Sequence, residues 1–140
     1  MESIATKRLK PRQWRQSGFD DSARYYADEN NARYAGSHKD PNQAWRHIAL
    51  QIGHRTPKGF GYWAVDEKDA NDFVGCVGLR QSPGWPELEL RCWLVPEHQG
   101  KGYAAEACLR CRDYAREIIG ATSLVSYIDP ANAASIQLAR

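Results

Sequence analysis

The stretch from Glu87 to Ala107, ELELRCWLVPEHQGKGYAAEA, constrains this chain more than any other. Its first half alternates. Leu88, Leu90, Cys92 and Leu94 fall on one face of a strand, and Glu87, Glu89, Arg91 and Trp93 on the other. Pro96 ends the strand because it has no N–H to give to a ladder. His98-Gln99-Gly100-Lys101-Gly102 then leads straight into an apolar-periodic helix. Two glycines and a lysine ahead of a helix let several backbone N–H groups converge on one point, where the helix N-terminus adds roughly half a positive charge. That combination suits a phosphate or a pyrophosphate.

Several readings of the loop compete. The P-loop pattern fails, because no Gly-Lys-Ser/Thr stands at the required spacing. The dinucleotide pattern GxGxxG/A is met formally by Gly100, Gly102 and Ala105, with Asp129 as an acidic ribose partner at the end of the next expected strand. That fingerprint belongs to the first turn of a repeated parallel unit, whereas here it comes late, after antiparallel-looking strands. A tight strand-to-helix turn that holds no ligand is the plain alternative.

Gln99-Gly100-Lys101-Gly102-Tyr103-Ala104 resembles the Q/R-x-x-G-x-G/A loop of the Gcn5-related N-acetyltransferases (GNAT), the acetyl-CoA enzymes. There is one departure, since strict spacing starts that pattern at Glu97. WLVPEHQGKGYAAEA resembles the ribosomal-protein N-terminal (Rim-type) branch. TKRLKPRQW, up to Trp14, resembles the family's first strand, with Pro11 where the family has an apolar residue. Phe60–Val65 resembles the second strand, and Asn132-Ala133-Ala134-Ser135 the N-x-x-S segment. The resemblance covers nearly the whole chain. It implies an α/β fold, a mixed and mostly antiparallel sheet flanked by helices, in one domain over residues 1–140. The family continues past this point into two further strands, so the domain is expected to be C-terminally incomplete. An open sheet edge would invite pairing with a second copy as a homodimer.

The resemblance also implies site residues. Backbone N–H groups near Leu94 and Val95 would hold an oxyanion and grip the pantetheine arm of acetyl-CoA. Gln99, Gly100, Lys101, Gly102, Tyr103 and Ala104 would cradle the pyrophosphate, and Asn132 would contact the acetyl-CoA arm, a plain helix cap being its other reading. Glu89 matches the glutamate of the family's E-I-G-Y-W-L strand and is the expected general base, working through a water. An ion pair with Arg91 or a solvated strand face is its bland reading. The tyrosine that many relatives use as general acid is replaced by Ala139, leaving Ser135, Tyr127 or a water. A lysine amine is only roughly one part in a thousand neutral at pH 7, and an α-amino group roughly a tenth. A weak carboxylate base therefore suits an α-amino group better. The expected function is acetyl transfer from acetyl-CoA to a primary amine, on a protein N-terminus or a small molecule. The alternative is a non-catalytic acyl-CoA-binding module.

Elsewhere the chain sets limits. Its 140 residues suffice for one core, and a net charge of +2 predicts no nucleic-acid partner. No apolar run spans a membrane and no signal segment is present, so a cytoplasmic location is the default. Asp20 and Asp21 are placed to cap a first helix. Asp40-Pro41 starts a second, which Gly53 and Pro57 should end. Tyr25, Tyr26, Tyr34 and His38 are candidate acceptor-wall residues that also suit plain packing. Gly75 and Gly78 mark a bulge or a close backbone approach in the third strand. The helix after the glycine loop carries a stripe of Ala104, Ala107, Cys108, Cys111, Tyr114, Ala115 and Ile118. Cys108 and Cys111 are therefore read as buried filler. His47 and His54 find no third ligand and are read as surface residues. No metal is expected. Ser123–Ile128 should form a fifth strand.

Overall fold

The computed structural model describes residues 5–14, 16–28, 40–70, 72–81, 87–126 and 137–139. Strands β1 (Leu9–Arg12), β2 (Tyr62–Glu67), β3 (Phe73–Arg80) and β4 (Glu89–Leu94) form one antiparallel sheet in the order β1-β2-β3-β4. Helices α1 (Gln16–Ala27) and α2 (Pro41–Lys58) cover one face, and α3 (Tyr103–Tyr114) covers the other. Both faces are packed, which is why β2 and β3 read as nearly continuous apolar runs. Leu9, Trp63, Val77 and Leu79 lie wholly inside on the α3 side, each worth about 1.5–3 kcal/mol of burial. Pro11 sits on the edge strand β1, opposite Val65, where a missing N–H is tolerated.

The β2–β3 register shifts between Val65 and Asp66, leaving Val74 without an opposite residue. Gly75 and Gly78 mark close approaches. A Cβ on Gly75 would lie 2.0 Å from the Trp93 carbonyl oxygen, and one on Gly78 would lie 2.4 Å from the Tyr62 Cα. Asp66, beside the bulge, pairs with Arg12 through two contacts of 2.6 and 3.2 Å, tying β1 to β2.

Helix boundaries differ from expectation in instructive ways. α1 starts before Asp20 and Asp21, so neither caps it, and Asp21 instead pairs with Arg24 one turn on. Asp40 does cap α2, in a reciprocal box with Gln43. Neither Gly53 nor Pro57 ends that helix. Gly59 does, by taking the left-handed φ of 80° and donating its N–H to the Arg55 carbonyl. After α3 the chain makes one wider π turn, Ala115–Ile119, before Gly120. The added residue per turn rotates the stripe, so Ile118 is half exposed instead of buried. Of the expected fifth strand, the described part makes a single parallel bridge, Val125 to Glu89. Among the described residues no helix is long and apolar enough to cross a membrane.

Candidate active site

β4 has two edges with different fates. Toward β3, the Val95 N–H donates to the Val74 carbonyl at 2.9 Å, so residues 95, 93, 91 and 89 point their backbone groups inward. Cys92 and Leu94 must then point theirs to the opposite edge. There Val125 pairs with β4 only at its start, through Leu90 N–H to Val125 O at 2.8 Å and Val125 N–H to Leu88 O at 3.1 Å. Ser126 Oγ adds a bond to the Leu90 carbonyl at 2.8 Å. Beyond that point the N–H groups of Cys92 and Leu94 have no partner among the described residues. A cavity of about 660 Å³ opens next to the point where Val125 meets β4, with Leu90, Ala105, Cys108, Val125 and Ala139 in its wall. Of the two expected oxyanion donors, Leu94 is aimed into the open edge. Val95 is not, because its N–H completes the β3 ladder.

The glycine loop follows a short 3₁₀ turn, Pro96–His98. Gly100 and Gly102 both take left-handed φ, 78° and 81°. Gln99 is a different case from its neighbours. Its N–H is engaged by the Pro96 carbonyl at 3.2 Å, and its side-chain Nε2 donates to the Leu94 carbonyl at 3.0 Å. Gln99 thus closes the turn instead of offering an amide. From Gly100 to Ala105, six consecutive N–H groups have no acceptor among the described residues, and the first helical bond is Glu106 N–H to Gly102 O. Lys101, Tyr103 and Ala104 belong to this set by their backbone, and Ala105 extends it by one residue. Tyr103's side chain looks away: its hydroxyl donates to Glu67 at 2.5 Å.

Residues that sequence spacing did not single out hold the loop in place. Glu106 accepts the Arg8 N–H, the Arg8 Nε and the Thr6 hydroxyl. The Arg8 guanidinium also donates to the Lys101 carbonyl at 2.8 Å and lies 4.5 Å above the Tyr103 ring. Burial pushes the Glu106 carboxyl up, but the Thr6 hydroxyl and the Arg8 donors together hold it below its ordinary value. These contacts span about a hundred positions of sequence, which no local pattern reveals.

Glu89 and Trp93 do share the face that looks toward α1 and α2. Glu89 is 3% exposed, and its Oε2 lies 3.9 Å from the Arg91 Nε. Trp93 is stacked on Tyr25 at 4.0 Å, with Tyr26 edge-on at 5.7 Å. Tyr25 and Tyr26 are therefore packed core aromatics beside that face. Burial pushes both hydroxyls up, so they stay protonated. Tyr34, His38, Tyr127, Asp129, Asn132 and Ser135 lie outside the described residues. Ala139 is described, in the cavity wall.

His54 is not a surface residue. Its Nδ1 lies 2.9 Å from the Phe60 carbonyl and its Nε2 accepts the Gln81 N–H at 3.0 Å, which fixes a neutral tautomer protonated on Nδ1. His47 sits edge-on to Tyr26 at 5.5 Å. Among the described residues no cluster of His, Cys, Asp or Glu could hold a metal ion. Cys111 is buried as expected. Cys108 instead pairs its thiol with Cys92 across the β4–α3 interface.

A sequence family described as an acetyltransferase (GNAT) domain matches residues 8–140. The YkkB protein of Bacillus subtilis (strain 168) is 29% identical over 118 residues, covering 81% of this chain and 67% of that protein. The acetyltransferase from Agrobacterium tumefaciens str. C58 superposes with a TM-score of 0.92 at 29% identity, over 99% of this chain and 81% of that one. The ribosomal-protein α-N-acetyltransferase RimL in complex with coenzyme A shares the fold, with a TM-score of 0.81 at 16% identity over 99% of this chain and 81% of that one. These likenesses set aside the dinucleotide reading of the glycine loop. Matched over nearly its whole length, the chain belongs to the GNAT family of acetyl-CoA-dependent N-acetyltransferases.

Proposed function

We propose that this chain acetylates a primary amine, the amine attacking the thioester of acetyl-CoA directly. The observation that carries the reading is the run of open N–H groups from Gly100 to Ala105, beside the half-unpaired edge of β4. Such a run at a helix start suits a pyrophosphate. The open edge, with the cavity beside the start of β4, suits an extended pantetheine arm. Bound acetyl-CoA supplies an activated acyl group with a thiolate leaving group.

The chain's own residues then have distinct tasks. Amides 100–105 hold the anionic end of the cosubstrate. Leu94 N–H is the donor placed to hold the acyl oxygen at the edge of β4. Glu89 takes the proton from the attacking amine through a water. A neutral α-amino group costs about 1–1.5 kcal/mol at pH 7 against about 4–5 kcal/mol for a lysine amine, so a carboxylate suffices for the former. Asn132 is the further cosubstrate contact proposed from the family pattern.

Steady-state thiol release from acetyl-CoA against an amine panel tests this. The wild type should turn over, and Glu89→Gln should lose about 100-fold in kcat with little change in the KM for acetyl-CoA. Coenzyme A binding with no turnover on any amine, or full turnover in Glu89→Gln, would overturn it.

A further inference from the structure

Two of the four cysteines meet across the layer between β4 and α3. Cys92 points from β4 to the α3 side, as Leu88, Leu90 and Leu94 do, and packs against the same core as Cys108 of α3. Cys92 donates its S–H to the Cys108 sulfur. The other two thiols are placed differently. Cys111, one turn on, is wholly buried, and Cys76 packs on the opposite face of the sheet. Of the four, Cys108 is the one in the wall of the cavity beside the start of β4. A small oxidant entering that cavity meets Cys108 first, with Cys92 already in contact behind it. The shared hydrogen bond also favours the Cys108 thiolate, which is the form that reacts. A reachable thiol backed by a second thiol has the makeup of a peroxide-responsive site.

We propose that Cys108 and Cys92 form a reversible disulfide on exposure to a peroxide, and that this bond weakens coenzyme A binding. The Cys108 thiolate attacks one peroxide oxygen, the O–O bond breaks, and the departing hydroxide takes up a proton to leave as water. Cys108 is then a sulfenic acid. The Cys92 sulfur attacks it, the S–O bond breaks, and the oxygen leaves as a second water with the Cys92 proton. Two thiols have given up two electrons, and one peroxide has become two waters. A dithiol reverses the bond by exchange. The effect on coenzyme A rests on the acetyl-transfer reading above, which puts that ligand against both joined elements. Cys92 belongs to the open edge of β4. Cys108 stands six residues after Gly102, on the helix whose start carries the open amides. An S–S bond is about 2.05 Å long, shorter than any S–H···S contact, so it draws α3 and β4 together. The helix start then shifts against the edge, and the cavity wall closes in.

The test treats folded, reduced protein with hydrogen peroxide, blocks the remaining thiols with iodoacetamide and digests without reductant. Trypsin cuts after Arg91, Lys101, Arg110 and Arg112, so Cys92, Cys108 and Cys111 fall on three different peptides. Mass spectrometry should find peptides 92–101 and 102–110 joined. Calorimetry should show the Kd for coenzyme A raised about tenfold or more, equivalent to about 1.4 kcal/mol. Dithiothreitol should reverse both. In Cys92→Ala the sulfenic acid has no partner, and dimedone should label Cys108. In Cys108→Ala the same peroxide dose should leave Cys92 unoxidised. A bond from Cys108 to Cys111, no joined peptide in the folded protein, or a joined peptide with an unchanged Kd would overturn the proposal. If neither the reduced nor the oxidised protein binds coenzyme A, the acetyl-transfer reading falls, and the disulfide stands on the masses alone.

Discussion

Glu106, in the first turn of α3, accepts the Arg8 backbone N–H at 2.9 Å and the Arg8 Nε at 2.7 Å. A carboxylate at this place also favours the helix N-terminus, so it stabilises the end of the helix that carries the open amides. Glu106→Gln keeps the shape and removes the charge. It should raise the KM for acetyl-CoA severalfold while kcat changes less, because the loop loses its brace and the chemistry does not. The effect on stability has a defined sign. The folded carboxyl titrates below its ordinary value near 4.5, so its contribution is fully present above that value and is lost as pH falls through the folded one. Thermal melts of the two proteins should differ at pH 6 and converge toward pH 3. A gap that widened on acidification would contradict the assignment.

Gly100 separates two costs that a loop variant usually mixes. A Cβ there would meet nothing within 4 Å, but the residue sits at φ 78°. Gly100→Ala should therefore lower stability by about 1–2 kcal/mol through backbone strain alone. Relief of that strain would turn the peptide and misdirect the N–H groups beside it. Calorimetry should show weaker coenzyme A binding than in wild type at a temperature where both are folded. Unchanged affinity would mean that these amides do not face the ligand.

Much of this arrangement was legible in the sequence, and the misses have physical causes. The alternation from Leu88 to Leu94 gave the correct faces, because a strand covered on both sides fixes each side chain's direction. Asp40-Pro41 announced α2 because capping is local chemistry. The end of α2 differs from the one expected at Gly53 and Pro57 because Gly53 is tolerated inside a helix held by packing on both sides of it, and the left-handed turn waits for Gly59. The family pattern counts the Gln99 and Val95 amides as ligand-facing, yet the Val95 N–H is taken through the β3 register, which sequence does not contain, and the Gln99 N–H by the local turn at Pro96. The Arg8–Glu106 brace is invisible to local pattern because it joins the segment just before β1 to the first turn of α3, nearly a hundred positions on.

The thiols rank themselves. Cys76 and Cys111 are fully buried, and burial pushes both far up. In the Cys92–Cys108 pair the shared hydrogen bond pulls Cys108 down and pushes Cys92 up. Cys108 also lines the cavity. Iodoacetamide at pH 8 should alkylate Cys108 first in the folded protein, and coenzyme A should slow it. Peptide mass spectrometry over a time course reads both. Labelling of Cys76 or Cys111 at the rate of Cys108 before unfolding would contradict the ranking.

Two glycines should respond to alanine with opposite signs. Gly53 lies within α2, exposed, with nothing within 4 Å of a Cβ. Gly53→Ala should stabilise the protein by about 0.5–1 kcal/mol, because alanine loses less backbone freedom on folding. Gly75 faces β4 so closely that a Cβ would lie 2.0 Å from the Trp93 oxygen and 2.9 Å from the Leu94 Cα. Neither atom belongs to a flexible side chain, so β3 and β4 must part where Val95 closes the ladder. Gly75→Ala should cost about 3 kcal/mol or more. It should also lower kcat in whatever fraction folds, since Leu94 is the edge donor. Chemical denaturation of both variants beside wild type decides the signs, and a neutral Gly75→Ala would mean that β4 does not approach β3 this closely.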